Sequence, residues 1–253
     1  MPTMIRHPSG ADVATVNATP VTGPGRATFG VDSTLWHDCL VSDTFEIDVW
    51  SDVVCPFCYL GTRQLAIALG DFEHRDDVVV RHRAFELDPG AALEYDQTLD
   101  ELLASKYAMP LERARALNER MQDEAAALGM TWSMRSARPT NTFDAHRVIA
   151  LASTQGLDDE MSQRLFRAYF SEGQLLSDRA TLSALAGEVG VNRVDELWRG
   201  DEFSNDVRAD ETQARDLGIT GVPTLLLDGK FMVVGAQGPA KIHDALERAW
   251  GRR

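Results

Sequence analysis

The run TFEIDVWSDVVCPFCYLGTRQLAIAL, residues 44–69, constrains the fold more than any other stretch. Phe45, Ile47 and Val49 alternate with Glu46, Asp48 and Trp50, the period of a β-strand. The following segment has Leu65, Ala68 and Leu69 on one face of a helix. Between them stands Cys55-Pro56-Phe57-Cys58. Proline is tolerated in a first helical turn, because the N–H it lacks has no intrahelical partner there. A β-branched run from Asp76 to Leu87 then reads as a second strand. Strand, helix and strand in so short a span make a βαβ unit, whose two strands run parallel.

Residues 97–217 have a different texture. They contain six Leu- and Ala-rich segments with helical spacing, and Gly129, Gly156, Gly173, Gly190 and Gly218 fall near segment ends, where a left-handed cap is wanted. No fixed period recurs, which excludes a solenoid. Strand character returns in PTLLLDGKFMVVGA, where Asp228-Gly229 between apolar runs predicts a two-residue type I′ hairpin. GPAKIHDALERAW closes the chain as a helix, with Pro239 in its first turn. The expected organisation is a first core segment at 44–96, a helical insertion at 97–204 and a second core segment at 205–253. Residues 1–43 are rich in Pro, Gly, Thr and Ala without sustained period, and are expected to form a disordered extension that carries Cys39.

The chain has 253 residues and a formal charge of −14. Such a surface repels phosphate backbones and anionic lipid, so neither nucleic acid nor membrane is an expected partner. No stretch approaches the ~20 apolar residues of a spanning helix. The first twenty residues lack the basic start and apolar core of a secretory signal. Three cysteines cannot staple a secreted scaffold, and a cytoplasmic location is expected. No glycine-rich phosphate loop is present, so no nucleotide cofactor is expected.

At a helix start, the unpaired N–H groups and the positive end of the dipole favour the Cys55 thiolate. Cys58 lies three residues on, nearly one turn, so the two sulfurs can meet. It should also be more deeply buried than Cys55. Attack by one thiolate on a disulfide, followed by attack from the second, is the chemistry this spacing permits. A structural zinc site needs four ligands. The chain offers no second Cys-x-x-Cys, and His7, His37, His74, His82, His146 and His243 show no paired spacing. The residues favour a redox pair over a metal site or inert thiols. Pro223 opens a strand in ITGVPTLLL, and spacing alone makes it an ordinary trans proline.

CPFC after a strand, a helical insertion and then GVPT together resemble the DsbA-like branch of the thioredoxin superfamily, and within it the cytosolic FrnE-like subgroup. RAFELDPG, PTNTFDAHRVIALA, LFRAYFSEGQLLSD, GITGVPTLLLDGK and VVGAQGP extend the resemblance over residues 44–250 or so. It implies an α/β fold, a thioredoxin-like βαβ…ββα core with a large α-helical insertion. It further implies that Cys55 attacks, that Cys58 resolves, and that Pro223 is cis beside them. Pro56 and Phe57 would then tune the redox potential, and the Val222 backbone would pair with an extended substrate. The implied partners are protein or small-molecule thiols and disulfides, with glutathione as a possible thiol partner and no metal or other cofactor. One departure concerns the buried acid often found six residues before the first cysteine: here that position is Val49. Asp48 is expected on the opposite face, and Asp52 is expected to cap the helix or face solvent. The related 2-hydroxychromene-2-carboxylate isomerases and kappa-class glutathione transferases usually place serine at the first cysteine's position, so Cys55 argues for disulfide exchange. A redox-linked chaperone-like binding module is a further alternative. Asn141 and His146 are candidate cleft residues, with helix capping for Asn141 and a satisfied interior position for His146 as the plainer readings.

Overall fold

A computed structural model describes residues 44–253, and the expectations for residues 1–43, Cys39 among them, lie outside the described residues. A four-stranded sheet is built from β1 (Phe45–Ser51), β2 (Val78–Ala84), β3 (Thr224–Leu227) and β4 (Phe231–Val234), in the order β2-β1-β3-β4. β1 runs parallel to β2 and antiparallel to β3, and β3 runs antiparallel to β4. The sheet is closed by α1 (Pro56–Gly70) and, at the end of the chain, α9 (Pro239–Trp250). Between β2 and β3 come α2 (Leu99–Lys106), α3 (Leu111–Ala127), α4 (Phe143–Ser153), α5 (Asp158–Phe170), α6 (Arg179–Val189), α7 (Val194–Leu197) and α8 (Ser204–Asp216). The fold is the thioredoxin-like core with a helical insertion that the sequence announces.

The alternation in β1 becomes two distinct faces. Phe45, Ile47 and Val49 are buried against Leu65 and Ala68 of α1 and Ile242 and Leu246 of α9. On the other face Glu46 pairs with Arg81 and Asp48 with Arg83, while Trp50 is fully buried with Ala214 and Leu226. The Trp50 indole N–H donates to the Asp210 carbonyl, which ties α8 to this face. α3 keeps Ala114, Asn118, Met121 and Ala125 inward at helical spacing, and its charged residues face solvent. The larger insertion core gathers Trp132, Phe166, Tyr169 and Phe170 together with Cys58 and Leu60. Tyr59 stacks on Phe166 at 5.0 Å and on Phe170 at 5.7 Å, so α1 belongs to both cores.

The glycines near segment ends all have positive φ, as their positions demand. Gly190 is the one that itself caps a helix, closing α6 at φ 91. The hairpin departs from expectation by one residue. Asp228 and Gly229 both have positive φ, and the Lys230 N–H bonds to the Leu227 carbonyl as in a type I′ turn. Yet Leu227 pairs with Phe231, so Lys230 is one residue more than a two-residue loop allows. The short α7 was not anticipated, since four residues are too few to show a period.

Candidate active site

Cys55 occupies the N-cap of α1 with extended backbone angles, φ −90 and ψ 116, and Pro56 begins the helix. A turn precedes it, in which the Cys55 N–H bonds to the Asp52 carbonyl. Cys58 lies within the first turn, and its N–H bonds to the Cys55 carbonyl at 3.1 Å. Both cysteines are free thiols in this structure. The expected ordering of exposure holds, but only just: Cys55 is 4% exposed and Cys58 0%. Cys55 is therefore not open to solvent as the helix-start position suggested. The covering group is the segment before β3, where the Cys55 Sγ points at the Val222 carbonyl at 3.9 Å.

The Val222–Pro223 bond is cis. The Pro223 ring packs on α1 at Gly61, where a Cβ would lie 2.7 Å from the ring Cγ. Gly61 is thus the residue that lets helix and proline approach. Phe57 is partly exposed beside the pair, and Pro56 and Val222 are half-buried. Six of the anticipated residues, Cys55, Pro56, Phe57, Cys58, Val222 and Pro223, therefore form one locus.

Burial pushes the Cys58 thiol well above its usual pKa, reinforced by its hydrogen bond to Cys55 and by the Cys55 charge. The Asp52 backbone N–H, bonded to the Cys58 sulfur, acts the other way, while the Asp52 carboxylate raises it further. Asp52 was expected to cap α1 or face solvent, and it does neither. It is 1% exposed, and α1 has no side-chain cap. The 52–55 turn directs its carboxylate inward, where Oδ2 accepts from the Leu87 N–H at 2.8 Å. Its Oδ1 is 3.5 Å from His146 Nε2, an ion-pair distance without hydrogen-bond geometry.

His146 is buried on α4, as its plainer reading held, but its Nε2 has no hydrogen-bond partner. Asn141 does hold the start of α4: its Oδ1 accepts from the Phe143 N–H at 2.9 Å. It lies near Glu86 rather than against the cysteines. The polar surroundings of His146 escaped the sequence reading. Glu86, behind β2, is buried and its carboxyl is raised by that burial, with Arg208 and His146 pulling it back. Asp210 on α8 is likewise raised by burial, although it accepts from the Ala84 N–H and pairs with Arg83 at 3.2 Å. The available signal was polar side chains, such as His82, Arg83 and His146, set within apolar strand and helix runs.

Among the described residues no group of three or more His, Cys, Asp or Glu side chains could hold a metal ion. No helix among them is long and apolar enough to cross a membrane.

A thiol pair at the head of a helix, packed against a cis-proline loop beside a mixed sheet, defines a thioredoxin-type dithiol protein. Residues 46–247 match the family model of the DSBA-like thioredoxin domain, and the chain belongs to that family. A probable DsbA oxidoreductase from Streptomyces coelicolor superposes with a TM-score of 0.79 at 37% identity, covering 83% of this chain and 91% of that one. The uncharacterized protein YwbO of Bacillus subtilis is 28% identical over 212 residues, 81% of this chain and 96% of its own. The cytosolic disulfide reductase DsbM from Pseudomonas aeruginosa shares the fold, with a TM-score of 0.58 at 20% identity over 82% of this chain and 100% of its own. DsbM has also been solved with GSH.

Proposed function

We propose that this chain is a thiol–disulfide oxidoreductase working through Cys55 and Cys58. The observation that carries the reading is the placement of the Cys55 sulfur at the helix start, against the Val222 carbonyl, with Cys58 buried behind it. Cys55 attacks a substrate disulfide to form a mixed disulfide, and Cys58 attacks the Cys55 sulfur and releases the substrate thiol. The backbone at Val222 receives an extended substrate as an added strand. Pro56 and Phe57 border the sulfur and set the thiolate's surroundings.

The substrates are protein or small-molecule disulfides, glutathione is a thiol partner, and the chemistry uses no metal or nucleotide. The cytoplasm is the proposed compartment. The low cysteine count supports it, and DsbM offers a cytosolic precedent for the fold. A glutathione-dependent isomerase or transferase is the weaker reading, because Cys55 supplies a thiol that can itself be oxidised.

The test is insulin reduction together with mass spectrometry of two variants. Cys55→Ser should abolish exchange. Cys58→Ser should accumulate adducts on Cys55 with glutathione or partner proteins. Adducts trapped on Cys58 in the Cys55→Ser variant, with none on Cys55 in the other, would reverse the assignment. Exchange that survives Cys55→Ser would remove the reading altogether.

A further inference from the structure

A cleft of about 450 Å³ opens between α1, α5 and the segment that follows α3. That volume lies within the range of small-molecule sites, roughly 300–1,000 Å³. None of Cys55, Cys58, Val222 and Pro223 lines it. Two side-chain pairs at i,i+4 spacing border it, Tyr59 and Arg63 from α1 and Gln163 and Arg167 from α5. Residues so spaced lie on one face of their helix. Met130 borders the cleft from the segment after α3. Arg63 lies about 12 Å along the axis of α1 from the N-cap Cys55, so the cleft is set well back from the reactive sulfur.

The donors of this cleft are held in place but not used up. Arg63 Nε donates to the Leu128 carbonyl at 3.2 Å, which fixes the guanidinium and leaves both Nη groups without a hydrogen bond or ion pair among the described residues. The Arg167 guanidinium makes no hydrogen bond among the described residues, and Glu172 Oε1 lies 3.8 Å from its Nε. Glu172 also lines the cleft, but Arg164 donates to both of its oxygens, at 3.0 and 2.9 Å. The Tyr59 ring is fixed by stacking on Phe166 and Phe170. Burial raises its hydroxyl above the usual tyrosine pKa, Arg167 pulls it back and Glu172 adds to the rise, so it stays protonated and can donate. The groups left over at the opening are therefore hydrogen-bond donors, two of them cations, in a chain whose formal charge is −14.

We propose that this cleft binds a small molecule bearing a carboxylate or phosphate on an apolar body, with the oxyanion held by Arg63 and Arg167. A planar guanidinium presents paired donors that match either oxyanion, so the two share one recognition chemistry. The Tyr59 hydroxyl adds a neutral donor at the same opening. The apolar body rests on the Tyr59 ring and on Met130, whose flexible thioether adapts to varied shapes. The ligand bridges the dithiol core and the helical insertion, since α1 belongs to the first and α5 to the second. The site is separate from disulfide exchange and does not depend on it. A ligand that joins the two parts of the folded chain stabilises that chain by mass action.

The experiment titrates the full chain, labelled at its methionine methyls, with 4-phenylbutyrate, phenyl phosphate and the uncharged 4-phenylbutyramide. The Met130 methyl resonance reports binding in the cleft, and Tm reports the stabilisation. At least one of the two anions should shift Met130 saturably with a Kd of about 1 mM or tighter, and should raise Tm. Which anion binds identifies the oxyanion. The amide should bind at least about 10-fold more weakly, because it lacks the charge that the guanidiniums recognise. Arg63→Gln and Arg167→Gln should each weaken anion binding about 5–10-fold. Arg63→Gln also loses the bond to Leu128, so Arg167→Gln, which loses no hydrogen bond, keeps the test sound if the first variant folds poorly. Arg113→Gln, on the exposed face of α3, should bind as the parent does. No saturable Met130 shift with either anion, amide binding as tight as the acid's, or unaltered affinity in Arg167→Gln would each overturn the site.

Discussion

The contact between Gly61 and Pro223 sets up a comparison in which one chemical change has opposite signs at two places. Glycine to alanine in a helix interior favours folding by about 0.5–1 kcal/mol, because alanine has less backbone freedom to lose. At Gly187 in α6 nothing beyond the helix's own neighbouring backbone lies within 4 Å of the added Cβ. Gly187→Ala should therefore be stabilising by about 0.5–1 kcal/mol, or about 1–4 °C in Tm for a domain of this size. At Gly61 the same Cβ would lie 2.7 Å from Pro223 Cγ and 3.2 Å from Pro223 Cβ. Carbon contacts settle near 3.5–4.0 Å, so helix and loop must part by roughly 0.8 Å. The proline ring is covalently closed and cannot rotate aside. Overpacking of this kind costs about 1–3 kcal/mol, and a contact this short belongs in the upper half of that range. After subtracting the propensity gain, Gly61→Ala should be destabilising by about 1–2 kcal/mol, or about 2–8 °C. Separating α1 from this loop also disturbs the 3.9 Å approach of Val222 to the Cys55 sulfur, so insulin reduction should slow as well. Urea titration and turnover of both variants decide the matter. Gly61→Ala as stable as the parent with unaltered turnover would show that the close contact does not position the site.

Two further perturbations follow from the polar and aromatic packing. Arg208→Met leaves Glu86, whose side chain is fully buried, without its cation, at a cost of about 1–3 kcal/mol at neutral pH because the arginine itself is half-exposed. Glu86 already has a raised folded-state pKa, so between its unfolded and folded values the native state binds the extra proton. Without Arg208 that window widens upward. The variant's deficit should be largest near pH 8 and shrink as pH falls toward 5, and thermal melts showing a gap constant with pH would contradict this. Tyr59→Ala removes the ring that stacks between α1 and the insertion, and urea unfolding should show a loss of about 2–4 kcal/mol. A loss below about 0.5 kcal/mol would mean that the stacking does not couple the two cores.

Much of the fold was legible because local pattern and global packing agree. The alternation in Phe45–Trp50 gave β1 and both of its faces, and Cys-Pro at the end of that run marked the start of α1. Leu65 and Ala68 became core residues as their helical spacing implied. Asp52 was misplaced for an identifiable reason. Asp52 opens the turn that precedes the N-cap Cys55, and nothing local reveals that this turn folds its side chain inward. Its partner His146 is supplied by α4, from the insertion, so the pair exists only in three dimensions. Arg147 beside it shows how little local sequence says about which buried polar groups find partners. It is equally buried, yet the carbonyls of Leu197, Gly200 and Glu202 and the Asp144 carboxylate give each of its three nitrogens a partner.

The sheet order has a consequence for how the protein is made. β1 is central, but its antiparallel neighbour β3 comes from the far end of the chain, and 167 residues separate Cys55 from Val222. At about 5–20 residues per second, a ribosome needs roughly 8–33 s to extend the chain from one to the other. The βαβ unit and then the helices of the insertion leave the exit tunnel first, and their contacts are mostly local. Through that interval the thiol pair is displayed without the loop that covers Cys55. A nascent chain therefore carries both thiols well before it carries the Val222 carbonyl that lies against one of them.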